Sequence, residues 1–408
     1  MTGFHDEQIK YCRTTLLEPR RNQAQDAAVT ADPKAIRVAI AHDYLTQRGG
    51  AEKVVLAMAR AFPDSPIHTT LFEPSTTFPE FADLDVRPSR LNRIGFLRRN
   101  HRAALPLLPF ASPSIEIDAD VVLTSTSGWA HGFRTSGRKL AYCYSPARWL
   151  YESEMYLGES SSRAKRATLA MMTSPLRRWD RRAAASADRY LAISTVVQKR
   201  ITDAYGFAST VVPAPFTVAT APEEPIADAA SWLGERSFYL CISRLLPYKN
   251  VDKVMAAFAG TERTLVVVGR GPEAERLRNG KPDNVLMLSD LTDGQMTWLY
   301  ARCNAVVAAS YEDYGLTPIE AGYHGKPSAV LRWGGFLDTV EEGVSGVYFD
   351  EPEPEAIRGA LDRLERTTWE AFKIQAHVEQ FSEERFAAEL SAAVTEIHDE
   401  TTERNLSR

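Results

Sequence analysis

Twice along this chain a short β-branched run ends at a glycine turn, and apolar residues at helical spacing follow it. The first instance is IRVAIAHDYL at residues 36–45, then Gly49 and Gly50, then Val54, Val55, Met58, Ala59 and Phe62. The second is TLVVVGRGPEAERLR, which begins at residue 264. A strand that turns sharply into a helix is the repeating unit of a doubly wound α/β sheet, and its apolar character on both faces requires helices above and below. Further strand candidates are IHTTLF (67–72), VVLTST (121–126), KLAYCYS (139–145) and RYLAIS (189–194), then FYLCISRL (238–245), VLMLS, AVVAAS and PSAVLR. Helical patterns separate most of them. Between the two series, residues 216–236 carry Ala-Pro-Glu-Glu-Pro and little periodicity, so they read as a linker. The expected fold class is therefore α/β, with two Rossmann-like doubly wound domains at 36–215 and 216–382 facing a central cleft. Ligands of such sheets bind outside the carboxyl ends of the strands.

Composition narrows the functional classes. A net charge of −5 argues against a general nucleic-acid binder. Cys12, Cys143, Cys241 and Cys303 lie far apart with neither redox nor metal-ligand spacing, a pattern that suits a reducing cytoplasm. No apolar run approaches the roughly 20 residues of a membrane span. Residues 1–35 are polar and aperiodic and lack an apolar signal core, so they are expected to form a leader outside the fold. Neither HExxH, a CxxC pair nor an EF-hand loop is present, and no metal is expected.

Three motifs carry chemistry. In SYEDYGLTPIEAGYHGKP (310–327), Glu312 falls in a loop after a buried strand, Gly315 opens a helix, and Glu320 lies about one turn into it. The backbone N–H groups of Gly315, Leu316 and Thr317 are free at such a helix start and favour an anion. In SRLLPYKN (243–250), Arg244 and Lys249 flank a strand-to-helix turn, where two cations suit a diphosphate. Gly49 and Gly50 permit close backbone approach to a ligand, but they do not form the GxGxxG of a dinucleotide site. Taken singly, the cations also read as exposed loop residues and the glycines as an ordinary turn.

Together GGAEKV, SRLLPYKNVD, VVVGRGPE and YEDYGLTPIEAGYHGKP resemble the family-4 retaining glycosyltransferases of the GT-B fold. The similarity runs from about Ile36 to Phe381. YEDYGLTPIEAG with LRWGGFLDTVEEGVSGVYFDEP is especially similar to bacterial polysaccharide mannosyltransferases. The resemblance implies that Glu320 binds the donor ribose and Glu312 the transferred sugar. It also implies that Gly315, Leu316 and Thr317 offer backbone donors, that Arg244 and Lys249 hold the diphosphate, and that Gly49 and Gly50 close on it. Glu312, Lys249 and Arg244 are the expected catalytic set. The last helix, from about residue 383 to 408, is expected to cross back onto the first domain. YCYSPARWLY (142–151) resembles the family's Tyr-Cys-His-Thr-Pro-x-Arg-Tyr motif, with Tyr144 in place of the histidine, and His131 is a candidate substitute.

The resemblance implies hexosyl transfer in cell-surface polysaccharide synthesis. GDP-mannose is the expected donor, and a glycan or polyprenyl-diphosphate-linked saccharide the acceptor. A UDP-sugar donor, a sugar-nucleotide epimerase or phosphorylase of the same shape, and a non-catalytic sugar-nucleotide-binding partner remain alternatives. Between Asp85 and Glu116, six arginines (Arg87, Arg90, Arg93, Arg98, Arg99, Arg102) interleave with Leu91, Ile94, Phe96, Leu97 and Leu105, with no acid among them. A second basic stretch runs from Arg163 to Arg182. Such surfaces suit an anionic membrane or simply a solvated face, so peripheral contact with the inner face of the cell membrane is a further expectation.

Overall fold

The computed structural model describes residues 36–104, 107–152, 163–216 and 221–406, so the leader expected at residues 1–35 lies outside the described residues. The first half builds a seven-stranded sheet from β1 (Val38–His42), β2 (Ile67–Thr69), β3 (Val86–Pro88), β4 (Val121–Thr126), β5 (Arg138–Cys143), β6 (Arg189–Ala192) and β7 (Thr210–Val211). Their spatial order is β3-β2-β1-β4-β5-β6-β7, and every pairing is parallel. The second half builds a six-stranded sheet from β8 (Phe238–Ile242), β9 (Thr264–Val268), β10 (Val285–Leu288), β11 (Val306–Ala308), β12 (Ser328–Leu331) and β13 (Gly346–Phe349). Its order is β10-β9-β8-β11-β12-β13, again parallel throughout. Both orders reverse direction once, between β1 and β4 and between β8 and β11. Chain reversal leaves a crevice at the carboxyl ends of those strands.

The strand sequences explain this architecture. All six residues of β4 and all five of β9 are buried. A strand buried on both faces needs an unbroken apolar or β-branched run rather than alternation. The Gly50–Ala61 helix after β1 buries Val54, Val55, Leu56, Ala57, Met58 and Ala59 against the first sheet.

The C-terminal Glu383–Leu406 helix leaves the second half and completes the core of the first. Phe386, Leu390, Val394 and Ile397 recur at helical spacing, are buried, and join the cluster containing Ile40, Leu123 and Tyr142. Arg60 Nη2 donates to Glu383 Oε2 at 2.7 Å, and Arg189 Nη2 donates to Glu400 at 2.5 Å, which pins both ends of the crossing. The two passages between the halves meet where Phe216 N–H donates to the Phe381 carbonyl at 3.0 Å.

One expectation changes. The segment read as a linker contains a helix, Ala227–Leu233. Ala229 and Leu233, four residues apart, pack on Phe238, Leu240 and Trp298 of the second half. The flanking prolines masked a stretch too short to show periodicity.

Leu390→Ala removes a fully buried side chain where the last helix closes the first half's core. We expect a loss of about 2–5 kcal/mol in urea unfolding. A change below about 0.5 kcal/mol would mean that the crossing helix is not part of that core.

Candidate functional site

The crevices of the two sheets open onto one cleft of about 620 Å³. The first half contributes Gly50, Lys53, Ser127, Tyr144 and Arg148, and the second half contributes Ser243, Arg244, Lys249, Arg270, Glu312 and Glu320 among others. Eight of the nine residues singled out from sequence line this cleft: Gly50, Arg244, Lys249, Glu312, Gly315, Leu316, Thr317 and Glu320.

Gly49 is the exception. It caps the Gly50–Ala61 helix in an extended conformation, and a Cβ there would stand 2.6 Å from Glu52 Oε2. The residue leaves room for a buried carboxyl below the cleft floor instead of lining the cleft. Burial pushes the Glu52 carboxyl above its ordinary pKa, against the opposing pull of His42.

The charged centre is the ion pair between Lys249 Nζ and Glu312 Oε1. Lys249 ends the short Pro247–Lys249 turn, and Asn250 follows at φ 52. Asn250 Nδ2 donates to the Ala309 carbonyl at 2.8 Å, which fastens the turn to the end of β11. That anchor carries Lys249 to Glu312 across 63 residues of sequence. Ser310 Oγ donates to the same Glu312 oxygen at 2.9 Å. Burial disfavours the Glu312 anion, but Lys249, Ser310 and Arg148 outweigh it, and the carboxyl lies below its usual value.

Gly315 adopts φ 90 at the start of the Leu316–Tyr323 helix, with the Phe336 ring 2.6 Å from where a Cβ would lie. Glycine alone satisfies both constraints. The helix start therefore faces the cleft with its N–H groups uncapped by any side chain. One turn on, Glu320 accepts from Tyr300 Oη at 2.5 Å. Burial raises its pKa, while Tyr300 and Lys53 pull the other way. Arg244 is exposed at the rim, with its guanidinium 3.4 Å from Tyr248 Oη. Gly269 and Arg270 of the VVVGRG turn also border the cleft.

Two family models tile most of the chain. Glycosyltransferase Family 4 matches residues 48–218, and Glycosyl transferases group 1 matches residues 224–383. The chain belongs to the GT-B glycosyltransferases. It is 29% identical over 125 residues to the alpha-1,3/1,6-mannosyltransferase ALG2 of Dictyostelium discoideum, covering 28% of this chain and 29% of that protein. Over 208 residues it is 26% identical to the GDP-mannose-dependent alpha-(1-6)-phosphatidylinositol monomannoside mannosyltransferase of Mycolicibacterium smegmatis, covering 45% and 54% of the two. The chain thus spans about half or less of the length of these curated relatives. Among solved structures, HepE of Anabaena in complex with UDP-glucose superposes with TM-score 0.65 at 18% identity, covering 88% of this chain and all of that one. The lipopolysaccharide outer core galactosyltransferase WaaB gives TM-score 0.61 at 16% identity, covering 88% and 99%. These likenesses establish the fold.

This glycosyltransferase handles the family's histidine position in its own way. Tyr144 lines the cleft, and its hydroxyl is held by residues of the first half. It donates to the Ala51 carbonyl at 3.2 Å and meets Ser125 Oγ at 2.9 Å, and Ser125 Oγ lies 2.9 Å from His42 Nδ1. If Tyr144 donates to Ala51, Ser125 donates to Tyr144, and His42 carries its proton on Nδ1. Burial holds the Tyr144 phenol well above its ordinary pKa, so it stays neutral. His131 is not its substitute. It is buried away from the cleft, 3.1 Å from Asp180.

Glu312 adds stability above the ordinary carboxylate pKa, and that contribution is lost as pH falls through its depressed folded value. In Lys249→Met, burial dominates and the carboxyl turns upward. We expect a loss on the order of 3 kcal/mol at neutral pH, with the gap to wild type narrowing as pH falls through the carboxylate range. A gap in thermal midpoint that is the same at pH 7 and pH 4 would refute the pairing.

Proposed function

We propose that this enzyme transfers mannose from GDP-mannose, with retention and without a metal, onto a glycan or lipid-linked saccharide in cell-surface polysaccharide synthesis. The observation that supports it is the meeting of Lys249, Arg244, Glu312, Glu320 and an uncapped helix start in one cleft between the halves. Lys249 and Arg244 hold the diphosphate beside the N–H groups of Gly315, Leu316 and Thr317, which offset its charge as it leaves. Glu320 takes the ribose hydroxyls and Glu312 the sugar hydroxyls. The bond from C1 to the diphosphate breaks as the acceptor oxygen attacks the same face, and the departing phosphate takes the acceptor proton. Mannose is favoured by the mannosyltransferase relatives. A UDP-sugar donor is the second reading, favoured by the UDP-glucose complex of the structural neighbour.

Acceptor delivery follows from a surface that folding assembles from separate stretches. Leu97 and Leu108 pack with Trp129 and Trp179, which brings the arginine-rich segment before residue 111 against the Arg163–Ala184 helix. On the outside, Phe96 is 63% exposed and Phe110 79%, beside Ile94 and Leu107. Some of the segment's arginines are engaged locally: Arg98 pairs with Glu73 and Arg87 with Asp85. No helix among the described residues is long and apolar enough to cross a membrane. Exposed aromatic rings among arginines suit an anionic bilayer surface, where each basic residue contributes about 1 kcal/mol.

Three measurements test the reading. Lys249→Ala and Glu312→Ala should each cut turnover about 100-fold or more, because the lost contacts strengthen in the transition state. Near-normal turnover in both would remove the assignment. A thermal-shift comparison of GDP with UDP separates the donors, since a specific ligand stabilises in proportion to RT ln(1+[L]/Kd). For the membrane, Phe96→Ser with Phe110→Ser should abolish co-sedimentation with anionic liposomes at low salt. Unchanged sedimentation would place the contact elsewhere.

A further inference from the structure

Next to Glu312 lies a second acid that the chemistry above does not use. Asp313 is buried, and two arginines of the first half reach across to it. Arg148 Nη2 pairs with Asp313 Oδ2, and Arg200 Nη1 lies 2.6 Å from Oδ1. Arg200 is itself held: its Nε is 2.6 Å from Glu152, and its guanidinium sits over the Trp333 ring at 5.9 Å. Burial disfavours the charge on Arg148, yet Asp313 more than offsets this and leaves its pKa raised.

The backbone on either side is gripped as well. Ser194 Oγ donates to the Asp313 carbonyl at 2.5 Å, while Gly335 N–H donates to the Glu312 carbonyl at 2.9 Å. Thr195 donates through both its N–H and its hydroxyl to Asp338 Oδ2, at 3.1 and 3.0 Å. The Glu312–Asp313 peptide is thus fixed on one side by its own half and on the other by the Thr195–Tyr205 helix of the first half. Within the second half, Glu312 has only Lys249 and Ser310 on its carboxylate.

We propose that Asp313, Arg148 and Arg200 form a latch between the halves that positions Glu312 against the transferred sugar only when the cleft is closed. They are positioning residues and act through Glu312. The inference rests on the glycosyl-transfer reading of the cleft. Any opening separates the Asp313 carboxylate from both cations; Arg200 keeps Glu152, but Asp313 and Arg148 lose the ion pair between them, so the closed state is discrete and not a continuum. Arg244, Lys249 and Glu320, the residues proposed for the nucleotide side of the donor, all lie in the second half and keep their places without the latch.

The test compares wild type with Asp313→Asn, Arg200→Gln and the double variant. Calorimetry with GDP and UDP gives nucleotide affinity, release of nucleoside diphosphate from the matching sugar nucleotide gives turnover, and small-angle scattering without ligand gives the radius of gyration. Each single variant should lose at least 10-fold in turnover while nucleotide Kd stays within 3-fold. The double variant should be no worse than Asp313→Asn alone, because that substitution already removes the charge that Arg200 meets. The radius of gyration should rise in each variant. Turnover within 2-fold of wild type, losses that multiply, or an unchanged radius would overturn the latch. Should Asp313→Asn fail to fold, Arg200→Gln, which leaves the carboxylate paired with Arg148, decides by the same three readings. A wild-type protein that binds neither nucleotide would sink the transfer reading, and scattering would still decide whether the latch holds the halves together.

Discussion

Glu312 is an anion placed where water cannot fully solvate it, and much of the cleft is arranged around keeping it charged. Burial alone would raise its pKa. Lys249 leads the groups that reverse the sign, and it reaches Glu312 because the Pro247–Lys249 turn is tied to the end of β11 through Asn250. The strand order makes that geometry possible. With β8 beside β11, the loop after β8 and the loop after β11 leave the sheet as neighbours at the reversal point. A cation on one and an anion on the other meet with no further device.

On the proposed reading, the same pair prepares the site electrically for a diphosphate. A lone cation in the cleft would bind anions but would also bury an uncompensated charge when empty. Paired with Glu312, Lys249 stays partnered in the free protein. An arriving diphosphate, supported by Arg244 and the helix start at Gly315, can share that cation without leaving either carboxylate or phosphate bare.

Much of this was legible in the sequence because it is local. Strand, glycine and helix in tandem predict the two sheets. Glu312, Gly315 and Glu320 lie within nine residues, and Arg244 and Lys249 within six, so spacing alone reports which face each takes. What was not legible depends on pairings over long separations. The Asp313 contacts with Arg148 and Arg200 join residues more than a hundred positions apart, and nothing in YEDYG distinguishes Asp313 from a solvated loop acid. The His42–Ser125–Tyr144 chain likewise joins three strand ends. Gly49 and Gly50 differ for a related reason: two adjacent glycines look equivalent in a string, but at the helix start one borders the cleft and the other backs onto Glu52.

Tyr144 bears on which sugar the cleft accepts. A histidine at that position presents a ring nitrogen, a donor or acceptor that can be offered to a sugar hydroxyl. Here the phenol oxygen is engaged by Ala51 and Ser125. On the proposed reading, polar recognition of the transferred sugar then falls to Glu312 and the backbone at Gly315–Thr317, all in the second half. An apolar ring face tolerates a hydroxyl or its absence with little penalty, whereas a buried polar partner left unmatched costs far more. On that same reading, selectivity among hexoses rests on the geometry of the Glu312 loop, and with it on how firmly the first half holds Asp313.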